Sequence, residues 1–387
     1  MKAVVLVGGE GTRLRPLTHT IPKQMLPLVE ITMLERVLAG LASHGVTEAV
    51  LSLGYRPDAF IRAFPEGRAA GVRVAYAVEP EPLDTAGAIR FAADHAGIEE
   101  RFVVLNGDVL TDLDLGALIR FHDDCDAVAT IALTPVEDPS AFGVVATDSD
   151  GRVVEFVEKP PRGSAPTNLI NAGTYVLEPK VLEHIVPGRR TSVEREIFPE
   201  LARTGRLFAM ADGKYWLDAG TPAAYLRANR DILAGRYASL GGLGAREVKS
   251  GIWVAPSANV DGEVLPESFI GEAAEVAEHA CITGSVLGSR SRAGAGAKVS
   301  SSVILSGVVL GASVTVTDSI VGAGAVLEEG CTVSGMSVIG FGARIAAGAH
   351  VEGERVPASV TIAETSGVEG SDASDVAELF GSVRRIS

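Results

Sequence analysis

Residues 8–23, GGEGTRLRPLTHTIPK, place a glycine-rich turn and three cationic side chains directly after an apolar strand. The strand, residues 3–7 (AVVLV), carries no polar residue and is typical of a strand buried on both faces of a parallel sheet. Glycines allow backbone N–H groups to approach phosphate oxygens closely, and arginine and lysine neutralise phosphate charge. The residues concerned are Gly8, Gly9, Gly11, Arg13, Arg15 and Lys23. The segment is therefore predicted to bind a polyphosphate.

The spacing of this segment differs from two better-known phosphate-binding loops. No Lys-Ser or Lys-Thr follows the glycines, as GxxxxGK[ST] would require. Leu14 occupies the position of the third glycine in GxGxxG. A surface turn with solvated arginines is the alternative interpretation, and the three cations beside a buried strand argue against it.

Two aspartates end apolar segments and are candidates for a metal site. Asp108 closes RFVVLNGD, and Asp218 lies in YWLDAGT. Because Mg²⁺ prefers a few carboxylates together with phosphate oxygens, two such aspartates brought together could hold one ion against a nucleotide. Taken singly, each aspartate is also a common turn or cap residue. Asp112 and Asp114 are assigned to that structural role, at the start of the next helix.

A second polar group follows later strands and suits a sugar phosphate. Lys159 comes after a strand that closes with Glu158, an arrangement that is also ordinary in a solvated loop. Within INAG, Asn171 offers an amide and Gly173 a bare backbone, both suited to sugar hydroxyls. A turn at the entry to a strand would explain these two residues equally well.

The first half of the chain alternates apolar strands with amphipathic helices, and this predicts a doubly wound, mostly parallel α/β sheet. Ligands of such sheets bind at the carboxyl ends of the strands, which is where the glycine turn lies. The predicted strands are 3–7, 48–52, 72–77, 102–106, 127–133 and 153–157. The predicted helices are 33–44, 86–95 and 115–123, with a further helix that begins at Thr221 and Pro222.

From Ile252 onward, apolar residues recur in steps of six, six and five, which gives a 17-residue coil. A final turn, at Ile339, Ile345 and Val351, arrives one residue later. One coil cannot bury its apolar face alone, so the coils are predicted to stack into a β solenoid, with glycine and alanine at the corners. The pattern resembles the left-handed parallel β-helix of hexapeptide repeats. The predicted domains are 1–235 (catalytic), 236–251 (linker), 252–356 (β-helix) and 357–387 (tail, with possible disorder).

Composition excludes several functional classes. The net charge of −15 argues against a nucleic-acid surface, since that would need basic stripes. Three scattered cysteines suit a reducing compartment and give no zinc or disulfide framework. The uncharged stretch 299–317 is rich in Ser, Thr and Gly and is predicted to be β structure rather than a membrane helix. We expect a cytoplasmic protein without a membrane partner, and the stacked coils favour a homo-oligomer.

Seven motifs occur in an order that resembles the sugar-1-phosphate nucleotidylyltransferase family. They are GGEGTRLRPLT with PK (8–23), EPLDTAG (81–87), LNGD (105–108), FGVV (142–145), VEKP (157–160), INAG (170–173) and WLDAGTP (216–222). PSAFGVV and TSVEREIFPEL (191–201) further resemble the mannose-1-phosphate guanylyltransferase branch, whose members carry a C-terminal left-handed β-helix. The resemblance implies a Rossmann-like nucleotidyltransferase domain and a reaction of GTP with mannose 1-phosphate.

The resemblance also implies roles for individual residues. Asp108 and Asp218 would bind Mg²⁺, Arg13 would stabilise the leaving pyrophosphate, Lys23 would hold the nucleotide phosphates and Lys159 the sugar phosphate. The remaining nucleotide site would comprise Gly8, Gly9, Gly11, Thr12, Glu79, Thr85, Ala86 and Gly87. The remaining sugar-phosphate site would comprise Gly143, Glu158, Asn171 and Gly173.

Three positions depart from the family pattern. Lys23 precedes Gln24 where the family usually has Lys-Pro, residues 30–32 replace the usual NKP turn, and Asp84 stands where the guanylyltransferase branch tends to have glycine. Other substrate pairs, such as dTTP or ATP with glucose 1-phosphate, therefore stay open, as does a catalytically silent nucleotide-sugar sensor. Acyl transfer by the β-helix is a further alternative, but its candidate bases, His279 and His350, are expected to face solvent.

Overall fold

The computed structural model of the chain describes residues 1–54, 57–237 and 244–358, and the backbone of 361–362. These residues fold as two compact units. The first comprises Met1–Gly9 and Val37–Leu217, and the second comprises Glu10–Arg36 and the described residues from Asp218 onward. Residues 238–243 of the predicted linker and most of the predicted tail lie outside the described residues. Within those residues, no helix combines the length and the apolar character needed to cross a membrane.

A ten-stranded mixed sheet forms the centre of the first unit, and its parallel half matches the predicted α/β fold. In that half, Lys2–Leu6 lies between Phe102–Asn106 and Glu48–Leu53, and Val72–Val78 follows. The other half starts with Leu169–Leu177 beside Phe102–Asn106 and is mostly antiparallel, although Leu207–Ala211 pairs parallel with Ala129–Pro135. The remaining strands of the sheet are Arg68–Ala69, Ala129–Pro135, Gly143–Thr147, Val153–Glu158 and Leu207–Ala211, and two short strands outside it are Val109–Thr111 and Trp216–Asp218.

The predicted helices are confirmed, with ends fixed by capping side chains. Asp114 accepts a hydrogen bond from the backbone N–H of Ala117 at 2.9 Å, which lowers the pKa of Asp114 and confirms it as a helix cap. Thr221 accepts one from the N–H of Ala224 at 3.2 Å. The α-helices of the described residues are Met33–Ser43, Pro57–Ala63, Asp84–His95, Leu115–Asp124, Phe198–Arg203 and Pro222–Leu233. The shorter helical turns are Thr12–Leu14, Leu17–His19, Lys23–Met25, Pro139–Ala141, Pro179–His184 and Val193–Ile197.

The second unit contains the predicted left-handed β-helix, whose coils build three parallel sheets. One sheet comprises Ile252–Val254, Ser268–Ile270, Val286–Leu287, Val303–Ile304, Ile320–Val321, Val338–Ile339 and Arg355–Val356, with Arg246–Lys249 added antiparallel at its end. The next comprises Asn259–Val260, Glu275–Val276, Arg292–Ala293, Val309–Leu310, Val326–Leu327, Arg344–Ile345 and Thr361–Ile362. The third comprises Glu263–Val264, Cys281–Thr283, Lys298–Ser300, Thr315–Thr317, Thr332–Ser334 and His350–Glu352.

Strand pairing confirms the 17-residue coil and its late final turn. Leu287 pairs with Ile304, 17 residues on, whereas Val321 pairs with Ile339, one residue further. The extra residue falls in the corner at 334–337, where both Gly335 and Met336 have positive φ. Gly288, one of the glycines expected at the corners, is required for space and not for backbone torsion. A methyl group there would lie 2.8 Å from the backbone of the next coil. Close stacking of coils therefore excludes a side chain there.

A short hairpin in residues 27–32 also belongs to the second unit. Its strands are Pro27–Leu28 and Ile31–Thr32, and Val29 and Glu30 form the turn with positive φ. The Glu30 carboxylate accepts hydrogen bonds from the backbone N–H and, at 2.5 Å, from the hydroxyl of Ser289 in the β-helix. Burial raises the pKa of Glu30 above its ordinary value, although these hydrogen bonds lower it.

This raised pKa predicts a pH-dependent effect of Glu30→Gln. A raised folded-state pKa means that the contribution of Glu30 to stability is most favourable below its unfolded pKa and is lost as pH rises through the folded pKa. Relative to the glutamine variant, the wild-type chain should therefore be more stable at pH 5 than at pH 8. Free energies of unfolding from urea titrations at the two pH values measure this change. An unchanged difference between the two proteins would contradict the assigned pKa shift.

Candidate functional site

Gly8 leaves the sheet beside a second glycine at the carboxyl ends of two neighbouring parallel strands. A methyl group at Gly8 would lie 3.3 Å from the backbone nitrogen of Gly54, so the two strand ends pass close to each other. Glu79 lies beside them, and its carboxylate accepts hydrogen bonds from Ser52 Oγ at 2.9 Å and from the Leu83 N–H at 3.0 Å. Sequence reasoning missed Gly54, although a glycine directly after a buried strand is the same signal that Gly8 gives.

Asp108 lies at the same sheet edge as Gly8. Leu6 pairs with Asn106, so the residues that follow these two strands leave the sheet together. Gly107 makes this possible, since its N–H donates to the Leu6 carbonyl at 2.9 Å and a methyl group there would lie 2.6 Å from Val7 Cγ1. In the first unit, Gly8 and Asp108 therefore leave the sheet at the same edge.

The cationic turn belongs to the second unit and has a fixed backbone. Gly11 has φ of 64°, and a methyl group there would lie 2.9 Å from Thr18 Cγ2. The Thr18 hydroxyl donates to the Gly11 carbonyl at 2.8 Å. This position therefore needs glycine for both torsion and space. Thr12 then begins the helical turn that carries Arg13, and Lys23 begins another short turn.

Two of the predicted catalytic residues meet in the second unit. Arg13 Nη2 lies 3.4 Å from Asp218 Oδ2, and Asp218 Oδ1 accepts the N–H of Gly220 at 2.9 Å. Arg13 is largely exposed (57%), whereas Asp218 is half-buried (25%). Arg15 instead pairs with Glu10 at 3.1 Å. The two arginines thus differ in their partners, because Arg13 pairs with a carboxylate predicted to bind metal and Arg15 does not.

The turn at 85–87 is held by the TSVERE segment. The Thr85 hydroxyl donates to Glu194 Oε2 at 2.7 Å and accepts the Val193 N–H at 2.9 Å. The N–H groups of Ala86 and Gly87 both donate to the Thr191 carbonyl, at 2.9 and 3.2 Å. Their hydrogen bonds are therefore made within the protein, which gives the branch-specific motif a physical role as a support for the turn.

Asp84 is neutralised by arginines from the same region. Its Oδ2 lies 2.9 Å from Arg195 Nη2 and 3.9 Å from Arg190 Nε. Its Oδ1 accepts the N–H of Thr85 at 2.9 Å. Asp84 has φ of 60°, a torsion that glycine adopts readily, so a family preference for glycine here has a backbone explanation. The sequence alone did not reveal Arg195 as the partner of this carboxylate.

Glu158, Lys159 and Gly143 come together in the antiparallel half of the sheet. Gly143 pairs with Glu158, and a methyl group at Gly143 would lie 2.9 Å from Glu158 Oε2. Lys159 Nζ lies 3.4 Å from Glu158 Oε1, and the Lys159 N–H donates to the Phe142 carbonyl at 3.0 Å. The ammonium group is largely exposed (66%), so it is available to an anion.

Asn171 and Gly173 form a bulge inside a strand rather than a turn at its entry. The register of Leu169–Leu177 shifts between Asn171 and Tyr175. Asn171 Nδ2 donates to the Tyr175 hydroxyl, and Asn171 Oδ1 accepts the Gly173 N–H, both at 2.9 Å. Gly173 has φ of 73°, and a methyl group there would lie 2.5 Å from Asn106 Nδ2. The Asn171 amide therefore fixes the bulge.

Two aromatic residues beside the bulge were not predicted. Trp216 Nε1 donates to the Ala172 carbonyl at 2.9 Å, and the Trp216 and Phe142 rings pack edge to face with centroids 5.6 Å apart. The signal in the sequence was that each lies within a predicted motif, Phe142 in FGVV and Trp216 in WLDAGTP. They join the bulge to the segment that carries Gly143 and Lys159.

Family profiles match both halves of the chain. The profile described as Nucleotidyl transferase matches residues 2–235, and the one described as GMPPB C-terminal domain matches residues 253–370. The chain is 40% identical to a mannose-1-phosphate guanylyltransferase of Mycobacterium tuberculosis, over 76% of this chain and 81% of the relative. It is 38% identical to a mannose-1-phosphate guanyltransferase of Schizosaccharomyces pombe, over 70% and 73% of the two chains.

Solved structures are similar to part of the chain. The crystal structure of HddC from Yersinia pseudotuberculosis, described as complexed with GMP-PN, has a TM-score of 0.52 and 32% identity. The match covers 60% of this chain and 99% of the HddC chain. The similarity supports the α/β assignment independently of the motif order.

Proposed function

Because this chain belongs to the nucleotidyl transferase family and to its mannose-1-phosphate guanylyltransferase branch, we propose that it condenses GTP with mannose 1-phosphate to give GDP-mannose and pyrophosphate. The observation that carries the proposal is the sheet edge shared by the glycine turn and Asp108, since a parallel sheet binds nucleotides at its carboxyl edge. The guanylyltransferase names of the relatives favour GTP and mannose 1-phosphate over other pairs.

In the proposed reaction, a phosphate oxygen of mannose 1-phosphate attacks the α-phosphorus of GTP and pyrophosphate leaves. Because the attacking oxygen comes from the substrate, the residues of the chain act by positioning and by neutralising charge. Arg13 would stabilise charge on the departing pyrophosphate and Lys23 would hold the nucleotide phosphates. Gly8, Gly9, Gly11 and Thr12 would provide close backbone approach, and Glu79 with the 85–87 turn would border the base and ribose.

The donor set of the proposed site fits Mg²⁺. Asp108 and Asp218 offer carboxylate oxygens, the ligands that Mg²⁺ prefers beside phosphates. The hydrogen bonds described for Asp218 come from one backbone N–H and from Arg13 at 3.4 Å, a long contact that a ligand would readily replace. A bound Mg²⁺ would supply charge neutralisation at the phosphates. That the two aspartates share one ion is part of the proposal.

The antiparallel half of the first unit would hold the sugar phosphate. The exposed Lys159 ammonium suits its phosphate, and Glu158 suits a sugar hydroxyl. Gly143 leaves space beside the Glu158 carboxylate. Because the Asn171 side chain is engaged in the bulge, we assign Asn171 and Gly173 the role of shaping the backbone that meets the sugar.

Two departures from the family pattern, Gln24 and Asp84, lie in the segments proposed to bind the nucleotide, and neither argues against GTP as the substrate. Gln24 is buried, with 1% of its surface exposed, which leaves little of it for contact with a base. The Asp84 carboxylate is paired with arginines. His279 and His350 are exposed, as expected, and the coils from Ile252 to Val356 run without a long insertion. Nothing in that described range favours acyl transfer.

The pairing of Asp84 predicts that Asp84→Gly keeps the choice of nucleotide. Glycine tolerates the positive φ, so the turn should persist, while the loss of the carboxylate frees two arginines. We expect the ratio of kcat/KM for GTP to that for ATP to change by less than about threefold, below about 0.7 kcal/mol. Competition assays with both nucleotides measure the ratio. A preference that reverses would show that Asp84 reads the base.

The test of the function is pyrophosphate release by the purified full chain with Mg²⁺, each nucleoside triphosphate in turn and a panel of sugar 1-phosphates. We expect the highest kcat/KM with GTP and mannose 1-phosphate. Preferred turnover with dTTP or ATP and glucose 1-phosphate would replace the substrate pair and keep the reaction class. Tight nucleotide-sugar binding without turnover would identify a silent sensor instead.

Three further predictions belong to this proposal. The functional division of the chain is 1–235, 236–251, 252–356 and 357–387, as the sequence predicts. A reducing, cytoplasmic compartment is expected from the three free cysteines. Self-association is expected through the β-helix, and light scattering of the purified chain measures it.

A further inference from the structure

The segment that carries Arg13 is held by the far end of the β-helix, within the second unit. Arg355, in the strand Arg355–Val356, donates from Nη1 to the carbonyl of Arg15 at 2.9 Å and to that of Arg13 at 3.4 Å. Burial lowers the pKa of Arg355, although the guanidinium stays charged at neutral pH. The Arg13 carbonyl lies within the helical turn Thr12–Leu14 and the Arg15 carbonyl directly after it, at the C-terminal end where a cation is favourable.

The same sheet of the β-helix holds the segment at a second point. Ser289 follows the strand Val286–Leu287 and binds both carboxylate oxygens of Glu30. The space around this contact is tight, since a methyl group at Gly271 would lie 2.8 Å from Glu30 Oε1. Residues 13–30 are therefore anchored near one end by Arg355 and at the other by Ser289.

The outer surface of this sheet is apolar and covered. Within each coil, one residue of the strand points into the β-helix core, and its neighbour points away from it. The outward residues Val286, Val303, Ile320 and Val338 are nevertheless at most 3% exposed. Val286 and Val303 line a cavity together with the hairpin residue Val29 and with Asn229. The hairpin thus lies on this face, which explains why both residues of the strands Val286–Leu287 and Val303–Ile304 are apolar.

The Arg13 guanidinium lies close to both Asp218 and Gly220. It lies 3.4 Å from Asp218 Oδ2, and a methyl group at Gly220 would lie 2.7 Å from Arg13 Nη2. A small shift of the Arg13 backbone would therefore move the guanidinium away from Asp218. Phosphoryl transfer is sensitive to shifts of about 1 Å in such groups.

We propose that Arg355 is a positioning residue for Arg13, by which the β-helix fixes the phosphate-binding turn for catalysis. The role rests on the proposed function, in which Arg13 stabilises the leaving pyrophosphate. Arg355 acts through backbone carbonyls and does not itself contact substrate. Because the charge on pyrophosphate develops in the transition state, loss of Arg355 should reduce kcat more than it weakens nucleotide binding.

The kinetic test compares three variants of the full chain. Arg355→Ala should lower kcat about tenfold, while KM for GTP changes less than about twofold, since two charge-assisted hydrogen bonds to the turn are removed. Arg355→Lys keeps one cationic donor and should restore much of the rate. Arg344→Ala is the matched control, because Arg344 pairs with Glu328 at 2.7 Å on another sheet of the same β-helix. Wild-type kcat in Arg355→Ala, or an equal loss in Arg344→Ala, would overturn the proposal.

Amide hydrogen exchange tests the positioning without relying on turnover. Leu14 and Arg15 donate their N–H groups to the carbonyls of Gly11 and Thr12. In Arg355→Ala these amides should exchange faster, while amides of the coils around Leu287 and Ile304 keep their wild-type rates. Unchanged exchange at Leu14 and Arg15 would contradict the positioning role. If the variant differs from wild type in this way but the wild-type chain shows no turnover with any substrate pair, only the proposed function is refuted.

Discussion

Asp108→Asn is expected to lower kcat/KM for GTP and mannose 1-phosphate by about a thousandfold while leaving the fold intact. Asparagine has nearly the same shape and keeps one acceptor oxygen, so the sheet edge should persist. What it lacks is the charge that a carboxylate contributes to binding a divalent cation beside phosphates. Pyrophosphate release measured over a range of Mg²⁺ concentrations would show the loss, together with a rightward shift of the Mg²⁺ dependence.

A nearby aspartate provides the control for this experiment. Asp114 caps the helix Leu115–Asp124, and asparagine is an equally good helix cap. Asp114→Asn should therefore retain wild-type turnover. Near-normal turnover in Asp108→Asn, or a loss of similar size in Asp114→Asn, would remove Asp108 from the metal site. Circular dichroism and thermal unfolding of both variants would establish that each remains folded.

Arg13→Ala is expected to have the second largest effect, a loss of about a hundredfold to a thousandfold in kcat. Arginine offers several donors to the pyrophosphate oxygens, and alanine leaves the developing charge to solvent. The substitution also removes the contact between Arg13 and Asp218. Steady-state kinetics in the forward direction and in pyrophosphorolysis should lose rate together, because both directions share one transition state.

Arg15→Ala separates this role from general positive charge. Arg15 is two residues away, is also exposed and pairs with Glu10 on the surface. Its backbone carbonyl, which accepts from Arg355, is unchanged by the substitution. We expect less than a threefold change in kcat, since exposed ion pairs contribute less than about 1 kcal/mol. Equal losses in the two variants would mean that the segment acts through its net charge.

Local patterns in the sequence were sufficient to predict the first unit's parallel half and the β-helix. Uninterrupted apolar runs identified Lys2–Leu6 and Phe102–Asn106, and the 17-residue period identified the coils. The antiparallel strand Leu169–Leu177 was not predicted, because its INAG segment combines turn residues with strand residues. Gly173 in the bulge packs closely against Asn106, a residue in another strand, and no local pattern reveals that contact.

Long-range contacts explain most of what the sequence did not show about the site. Glu30 departs from the usual turn, yet its partner Ser289 is 259 residues away. Asp84 departs from glycine, and its partner Arg195 lies 111 residues on. In each case the sequence around the partner gives no sign of the pairing, and only folding brings the two residues together. The sequence did carry one sign that a face of the β-helix is covered. In strands of one sheet, such as Val286–Leu287 and Val303–Ile304, both the inward and the outward residue are apolar.

The attachment of residues 10–36 to the β-helix has a consequence for how the chain is made. A ribosome adds Ser289 259 residues after its partner Glu30, and Arg355 340 residues after its partner Arg15. The intervening chain must be closed as a loop before these contacts form, and such non-local contacts slow folding. The phosphate-binding turn should therefore be among the last parts to order, so that an incomplete chain acquires a sheet before it acquires a nucleotide site.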